Sequence, residues 1–319
     1  MNSSDHRHCY AACDSNKKKQ IKERKVGTMG YGSYKASDWS RLRESKRLDD
    51  ASVNEIFTSR KMDDRYNPYY IDKREARDSK EHPNSTPIAI GVDITGSMGY
   101  LSEEIIKNSL NELMKKLYST DLVEDPQLMF AAVGDADSNE APLQVTQFES
   151  DIRIAEQLME LWIEGGGGDA PEDYQLLWYF VAKHTDIDSF RLRGKKGFCF
   201  TIGDAGFHAG LSSRQIERIF KDQSEKISSK KLAELASEQY ELFHIDLRSG
   251  KASAAELIPG RVISLDPDQV NYLPEVIIAA IQLTKGMDKD KVFKDLDPSA
   301  ASVVMKAIKD LNVGDKIRL

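Results

Sequence analysis

The 319-residue chain is 40% hydrophobic and 30% charged with a net charge of −7, which is ordinary for a soluble globular protein and argues against nucleic acid as the main partner. The charge is uneven, because residues 1–86 hold 19 Lys and Arg against 14 Asp and Glu whereas the remainder is acidic, the pattern of an acidic body with a basic arm. Three cysteines, Cys9, Cys13 and Cys199, are too few for a disulfide framework, and neither a signal-peptide core nor a run of ~18 apolar residues occurs, so a cytoplasmic protein with no membrane partner is expected.

Residues 1–86 read as a basic, aromatic-containing N-terminal arm, partly disordered. The start clusters His6, His8, Cys9 and Cys13, but four zinc ligands within eight residues strain a tetrahedral site, and the segment reads as a loose terminus. Short helices are expected within 50–61. Trp39, Phe57, Tyr66, Tyr69 and Tyr70 are too many aromatics for a plain linker, so residues 31–86 are expected to pack on the main domain.

From Thr86 the pattern becomes regular. Residues 87–92 form a continuous apolar strand suited to the centre of a parallel sheet. Residues 101–118 place Ile105, Leu110, Leu113, Met114 and Leu117 on one helical stripe. A second strand, 128–133, ends at Gly134-Asp135, and 144–148 is a short strand able to pair antiparallel with it. Helices follow over 151–162 and, after a glycine loop, 171–184. A third strand, 197–202, also leads to an acid, Asp204. Helices at 212–222 and 229–239, strands at 241–247 and 261–265, and a helix at 270–285 complete an α/β alternation. It predicts a doubly wound, mostly parallel sheet flanked by helices over residues 87–285. Residues 286–319 form a C-terminal tail with a helix near 298–310.

In such sheets ligands collect beyond the carboxyl ends of the strands, where Asp93, Asp135 and Asp204 fall. Three acids at one edge repel unless a cation lies between them, and Thr95 and Ser97 add neutral oxygens. Hard oxygen donors of this kind suit Mg²⁺ or Mn²⁺. Asp135 and Asp137 stand in GDADSN and also fit a turn. His208 lies in the loop GDAGFHAG and reads as a surface histidine, and Cys199 as a core thiol.

The stretch DITGSM resembles the Asp-x-Ser-x-Ser signature of von Willebrand factor type A domains, their metal-ion-dependent adhesion site. The later elements follow the same order: a helix after the motif, a hairpin edge, a glycine loop before a helix, and a strand ending in Gly203-Asp204. The resemblance covers about residues 86–285 and implies a Rossmann-like fold of that family, in an intracellular prokaryotic or phage-like branch. It implies metal ligation by Asp93, Thr95, Ser97 and Asp204. In the second loop, EGGGGDAPEDY, Asp169 stands where the family commonly has Thr; it is a further ligand, the N-cap of a capping box with Glu172, or both.

The function implied is metal-dependent protein binding without catalysis, with an AAA+ ATPase of the MoxR type as the partner the resemblance suggests. The alternative is a phosphotransferase of the actin-like, sugar-kinase or haloacid dehalogenase type acting through Asp93. Thr95 stands where the first two families need Gly and the third a second Asp, and no G-x-x-x-x-G-K-[ST] loop occurs.

Overall fold

The structure is a computed structural model and describes residues 32–119, 122–166, 171–247, 251–294 and 296–313. The cluster of His6, His8, Cys9 and Cys13 therefore lies outside the described residues, as does Asp169.

Among the described residues ten strands form: β1 (Arg74–Ala76), β2 (Thr86–Asp93), β3 (Pro126–Val133), β4 (Leu143–Val145), β5 (Thr185–Ile187), β6 (Gly197–Gly203), β7 (Gly210–Leu211), β8 (Ile227–Ser228), β9 (Tyr240–Asp246) and β10 (Val262–Ser264). Six of them make one sheet in the order β10-β9-β6-β2-β3-β4. All its pairings are parallel except β3 with β4. The two central strands are flanked on both faces, and their near-continuous apolar runs follow from that double burial.

Alternation along β2 sorts its side chains. Ile88, Ile90 and Val92 enter one core with helices Leu110–Ser119 and Leu273–Thr284. Ala89 enters the other, with Leu177 and Trp178 of helix Gln175–Lys183 and Leu232 of helix Ser229–Gln239. A strand with period two thus feeds two layers at once. The chain runs from β2 outward through β3 to β4, then returns to the other side of β2 to lay down β6, β9 and β10. The direction reverses between β2 and β6, and a crevice at the carboxyl ends is the topological consequence.

The helix read over 101–118 is three consecutive pieces, Gly99–Glu104, a π turn Ile105–Ser109, and Leu110–Ser119. Ile105 and Leu110 are five residues apart, one too many for an α turn, yet both are buried. The wider π turn absorbs the extra residue and keeps them on one face. At the chain's end, Asp297 accepts from the backbone N–H of Ser299 and Ala300 and starts helix Pro298–Ala307, whose Val304 and Ala307 join the core.

Residues 32–86 are laid against this body. Helix Ala36–Lys46 buries Trp39 and Leu42, and Tyr66 is also buried, while Tyr70 is exposed. β1 pairs in parallel with β5, and Arg77 clamps the junction by donating to Asp186 at 2.7 Å and Asp188 at 2.9 Å. Among the described residues no helix is long and apolar enough to cross a membrane.

Candidate metal centre

Asp93 is the last residue of β2 and has the parity of Ala89 and Gly91, so its carboxylate turns toward helix Gln175–Lys183. The helix comes close because Gly91 has no side chain: a Cβ there would stand 2.6 Å from Leu177 Cδ2. Asp93 is fully buried. Its Oδ1 accepts from the Thr95 backbone N–H at 2.8 Å and from Thr95 Oγ1 at 2.6 Å. Its Oδ2 accepts from the Tyr174 hydroxyl at 2.7 Å. Gly96, at φ +37, turns the chain into the 3₁₀ turn Gly96–Met98 that carries Ser97. The Gly96 N–H donates to the Gly166 carbonyl, which draws the glycine loop over the motif.

Asp204 follows β6 directly. Its charge is felt at Asp93, where burial first and then Asp204 raise the carboxyl above the usual aspartate range despite the hydrogen bonds from Thr95 and Tyr174. Gly203 makes this meeting sterically possible, since a Cβ there would fall 2.1 Å from the Tyr174 hydroxyl oxygen. The structure therefore brings Asp93, Thr95 and Asp204 together at the reversal point of the sheet, with Ser97 in the same loop.

The second loop departs from expectation. The helix predicted over 171–184 begins at Gln175, so Glu172 is not in its first turn; the capping box with Asp169 falls on a residue outside those described. Glu172 instead forms a parallel bridge to Phe207, donating its N–H to the Gly206 carbonyl at 2.8 Å and accepting from the His208 N–H at 3.1 Å. Those ladder bonds hold residue 172 extended and send its side chain inward, where Oε1 accepts from Thr95 Oγ1 at 3.2 Å. Glu172 is only 6% exposed and its Oε2 has no hydrogen-bond partner. Burial, then the charge of Asp93, push its carboxyl up to about 8. Glu172 was not singled out as a site residue from the sequence; the only signal was an acid pair beside a glycine run.

A second group of acids adjoins the first. One ligand atom each from Asp135, Asp173 and His208 lie within 4.8 Å of one another. Asp135 Oδ1 accepts from the N–H of Asp137 and the N–H and hydroxyl of Ser138, so the turn reading of this loop holds. Burial opposes the Asp135 charge, but those hydrogen bonds and His208 outweigh it and keep the carboxyl below its usual range. Its Oδ2 remains 3.7 Å from His208 Nε2. Asp137 is exposed and contributes only its N–H. The expected free surface histidine is thus half-exposed His208 facing two acids. Cys199 is fully buried in β6, and burial pushes its thiol far up.

The floor of the site is aromatic. Tyr174 and Phe207 meet edge to face at 5.0 Å, Phe207 stacks on Trp178 at 4.7 Å and meets His244 at 4.9 Å. Burial holds His244 down to about 3, so it is neutral and adds no compensating charge. Among the described residues no Lys or Arg forms an ion pair with Asp93 or Glu172. An acid cluster over an apolar floor favours either protonation or a bound cation; the oxygens of Asp93, Thr95, Glu172 and Asp204 are hard donors of the class that Mg²⁺ and Mn²⁺ take.

No family model and no curated protein matches this chain. Among solved structures, the pilus adhesin SpaC of Lactobacillus rhamnosus GG in its open conformation aligns with 66% of this chain and 31% of its own, at 8% identity and a TM-score of 0.42. Proximal thread matrix protein 1 of the mussel byssus aligns with 61% of this chain and 47% of its own, at 13% identity and a TM-score of 0.42. The chain spans less than half the length of either.

Proposed function

We propose that this chain is a metal-dependent protein-binding module of the von Willebrand factor type A kind, working in the cytoplasm. Mg²⁺ or Mn²⁺ would be held by Asp93, Thr95, Ser97 and Asp204, with Asp169 as a further ligand from the glycine loop. The observation that carries this reading is the fully buried Asp93 carboxylate facing the Thr95 hydroxyl beside Asp204 at the reversal point between β2 and β6. The residues fit a cation: Glu172 adds a buried carboxylate oxygen with no hydrogen bond of its own. When bound, the ion would supply a Lewis-acidic position for an oxygen of a protein partner. The surrounding loops then select the partner, and an AAA+ ATPase of the MoxR type is the candidate.

A binding role is favoured over phosphotransfer through Asp93 because both of its oxygens are engaged, by Thr95 on one side and Tyr174 on the other. Hydrogen bonds on both oxygens draw off charge and lower the nucleophilicity of the carboxylate, while each oxygen keeps a lone pair for a cation. Calorimetric titration with Mg²⁺ is the test. Wild type should bind and Asp93→Ala should not, with the fold retained. Wild-type Mg²⁺ affinity in Asp93→Ala would overturn the assignment, and hydrolysis of ATP that vanishes in the same variant would move the function to phosphotransfer.

A further inference from the structure

We propose that Asp135, Asp173 and His208 form a second cation site, distinct from the one built on Asp93, that takes a divalent transition ion such as Mn²⁺. Three separate loops supply it: Asp135 follows β3, Asp173 precedes helix Gln175–Lys183, and His208 precedes β7. One ligand atom from each already lies within 4.8 Å of the others, and His208 Nε2 is 3.7 Å from Asp135 Oδ2. Adjacent ligand atoms around an octahedral or tetrahedral divalent ion stand about 3.0–3.4 Å apart, as metal–ligand bonds of ~2.1 Å require. The remaining closure falls to His208, whose side chain at 38% exposed is the least confined of the three.

The two acids are preset. Asp135 Oδ1 is occupied by Ser138 and by the Asp137 N–H, which leaves Oδ2 toward the histidine. Asp173 is 2% exposed and held by the Ala136 N–H at 2.7 Å and by the Gln175 side-chain amide. Arg218 ties the same loop by donating to the Ala136 carbonyl. Groups that grip the ligands and fix their direction are what a metal site needs around it.

Glu172, next to Asp173, bears on both groups of acids: it is buried with Oε2 unpartnered, its Oε1 accepts from Thr95 at 3.2 Å in the first group, and the charges of Asp93, Asp135 and Asp173 all raise its carboxyl. The donor set separates the two sites chemically. Carboxylates and hydroxyls alone suit Mg²⁺ or Mn²⁺, whereas an added imidazole moves the preference away from Mg²⁺ and toward transition ions.

The test counts Mn²⁺ by electron paramagnetic resonance on the full chain. Mn²⁺ is chosen because the thiols of Cys9 and Cys13 prefer softer ions. Wild type should bind two equivalents, close enough for their signals to broaden each other. Asp93→Ala should bind one. His208→Ala, a change at a half-exposed position, should also bind one, with melting temperature in chelator equal to wild type, and Asp135→Asn should weaken the same equivalent about tenfold or more. Unchanged stoichiometry and affinity in His208→Ala would overturn the second site, as would a single wild-type equivalent that disappears in Asp93→Ala. Loss of an equivalent in His208→Ala with none lost in Asp93→Ala would leave the second site standing and remove the first.

Discussion

The Tyr174 hydroxyl donates to Asp93 Oδ2 at 2.7 Å across a sequence separation of 81 residues, and both side chains are fully buried. Burial and the neighbouring carboxylate push the phenol far above its usual range, so it remains a donor at any working pH. The same oxygen accepts from the Ala205 N–H at 3.3 Å. One tyrosine therefore links the loop after β2 to the loop after β6, and it fits only because Gly203 offers no side chain.

Tyr174→Phe should cost about 1–3 kcal/mol, the range for a buried acceptor losing its donor. Urea unfolding in chelator measures it. Gly203→Ala should move stability in the same direction, because its Cβ takes the space of the Tyr174 hydroxyl. Wild-type stability in both variants would mean that the link bears no strain.

Glu172 predicts a pH dependence of the metal-free protein. Its carboxyl is raised from 4.5 to about 8 by burial and then by Asp93. The folded state keeps this proton where the unfolded state has lost it, so stability falls as pH rises between about 4.5 and 8. The interval sets a ceiling of about 5 kcal/mol that solvent screening reduces, and Glu172→Gln should flatten the profile. On the proposed function, Mg²⁺ should flatten it too, since a cation favours the ionised form. Denaturation midpoints across that range, with chelator and with Mg²⁺, decide both points.

Gly91→Ala tests the packing that places Asp93. Ordinarily alanine gains over glycine in a strand, but here the added methyl meets Leu177 Cδ2 at 2.6 Å. A cost of about 1–3 kcal/mol is expected from overpacking. Leu177→Ala in the same chain should recover part of it relative to the sum of the single changes, and a double-mutant cycle on melting temperature reads the coupling.

Trp39→Ala tests whether the segment before β1 is part of the folded body. Trp39 is 6% exposed and belongs to the larger core, so its removal should cost about 3–5 kcal/mol. Limited proteolysis should then cut within residues 36–48 before the remainder unfolds. Cleavage there at the wild-type rate, with unchanged melting temperature, would show that Trp39 does not anchor the segment to the core.

Much of this protein was determined by its sequence alone. The order of the six strands of the main sheet and of the longer helices between them is legible in apolar periodicity, because burial of one stripe or one strand face is a local demand written residue by residue, whereas the two- and three-residue strands β5, β7 and β8 and the short helices Asp188–Arg193 and Lys251–Leu257 carry too few residues to show a period. The position of Asp93 and Asp204 at strand ends follows from the same pattern. Helix Ala36–Lys46 was not legible: it buries only Trp39 and Leu42, too sparse a stripe to stand out. The π turn at Ile105–Ser109 was also hidden, since a spacing of five reads as a broken stripe until the packing partner is known. Only the tertiary structure decided what meets at the sheet's edge. Glu172 enters the site because a bridge to Phe207 holds it extended, although the helix was expected from residue 171. Tyr174 reaches Asp93, and Asp135, Asp173 and His208 converge, because β2 lies between β3 and β6. Strand order sets which loops become neighbours, and it is fixed by long-range pairing and the packing of two cores, to which no single stretch of sequence has access.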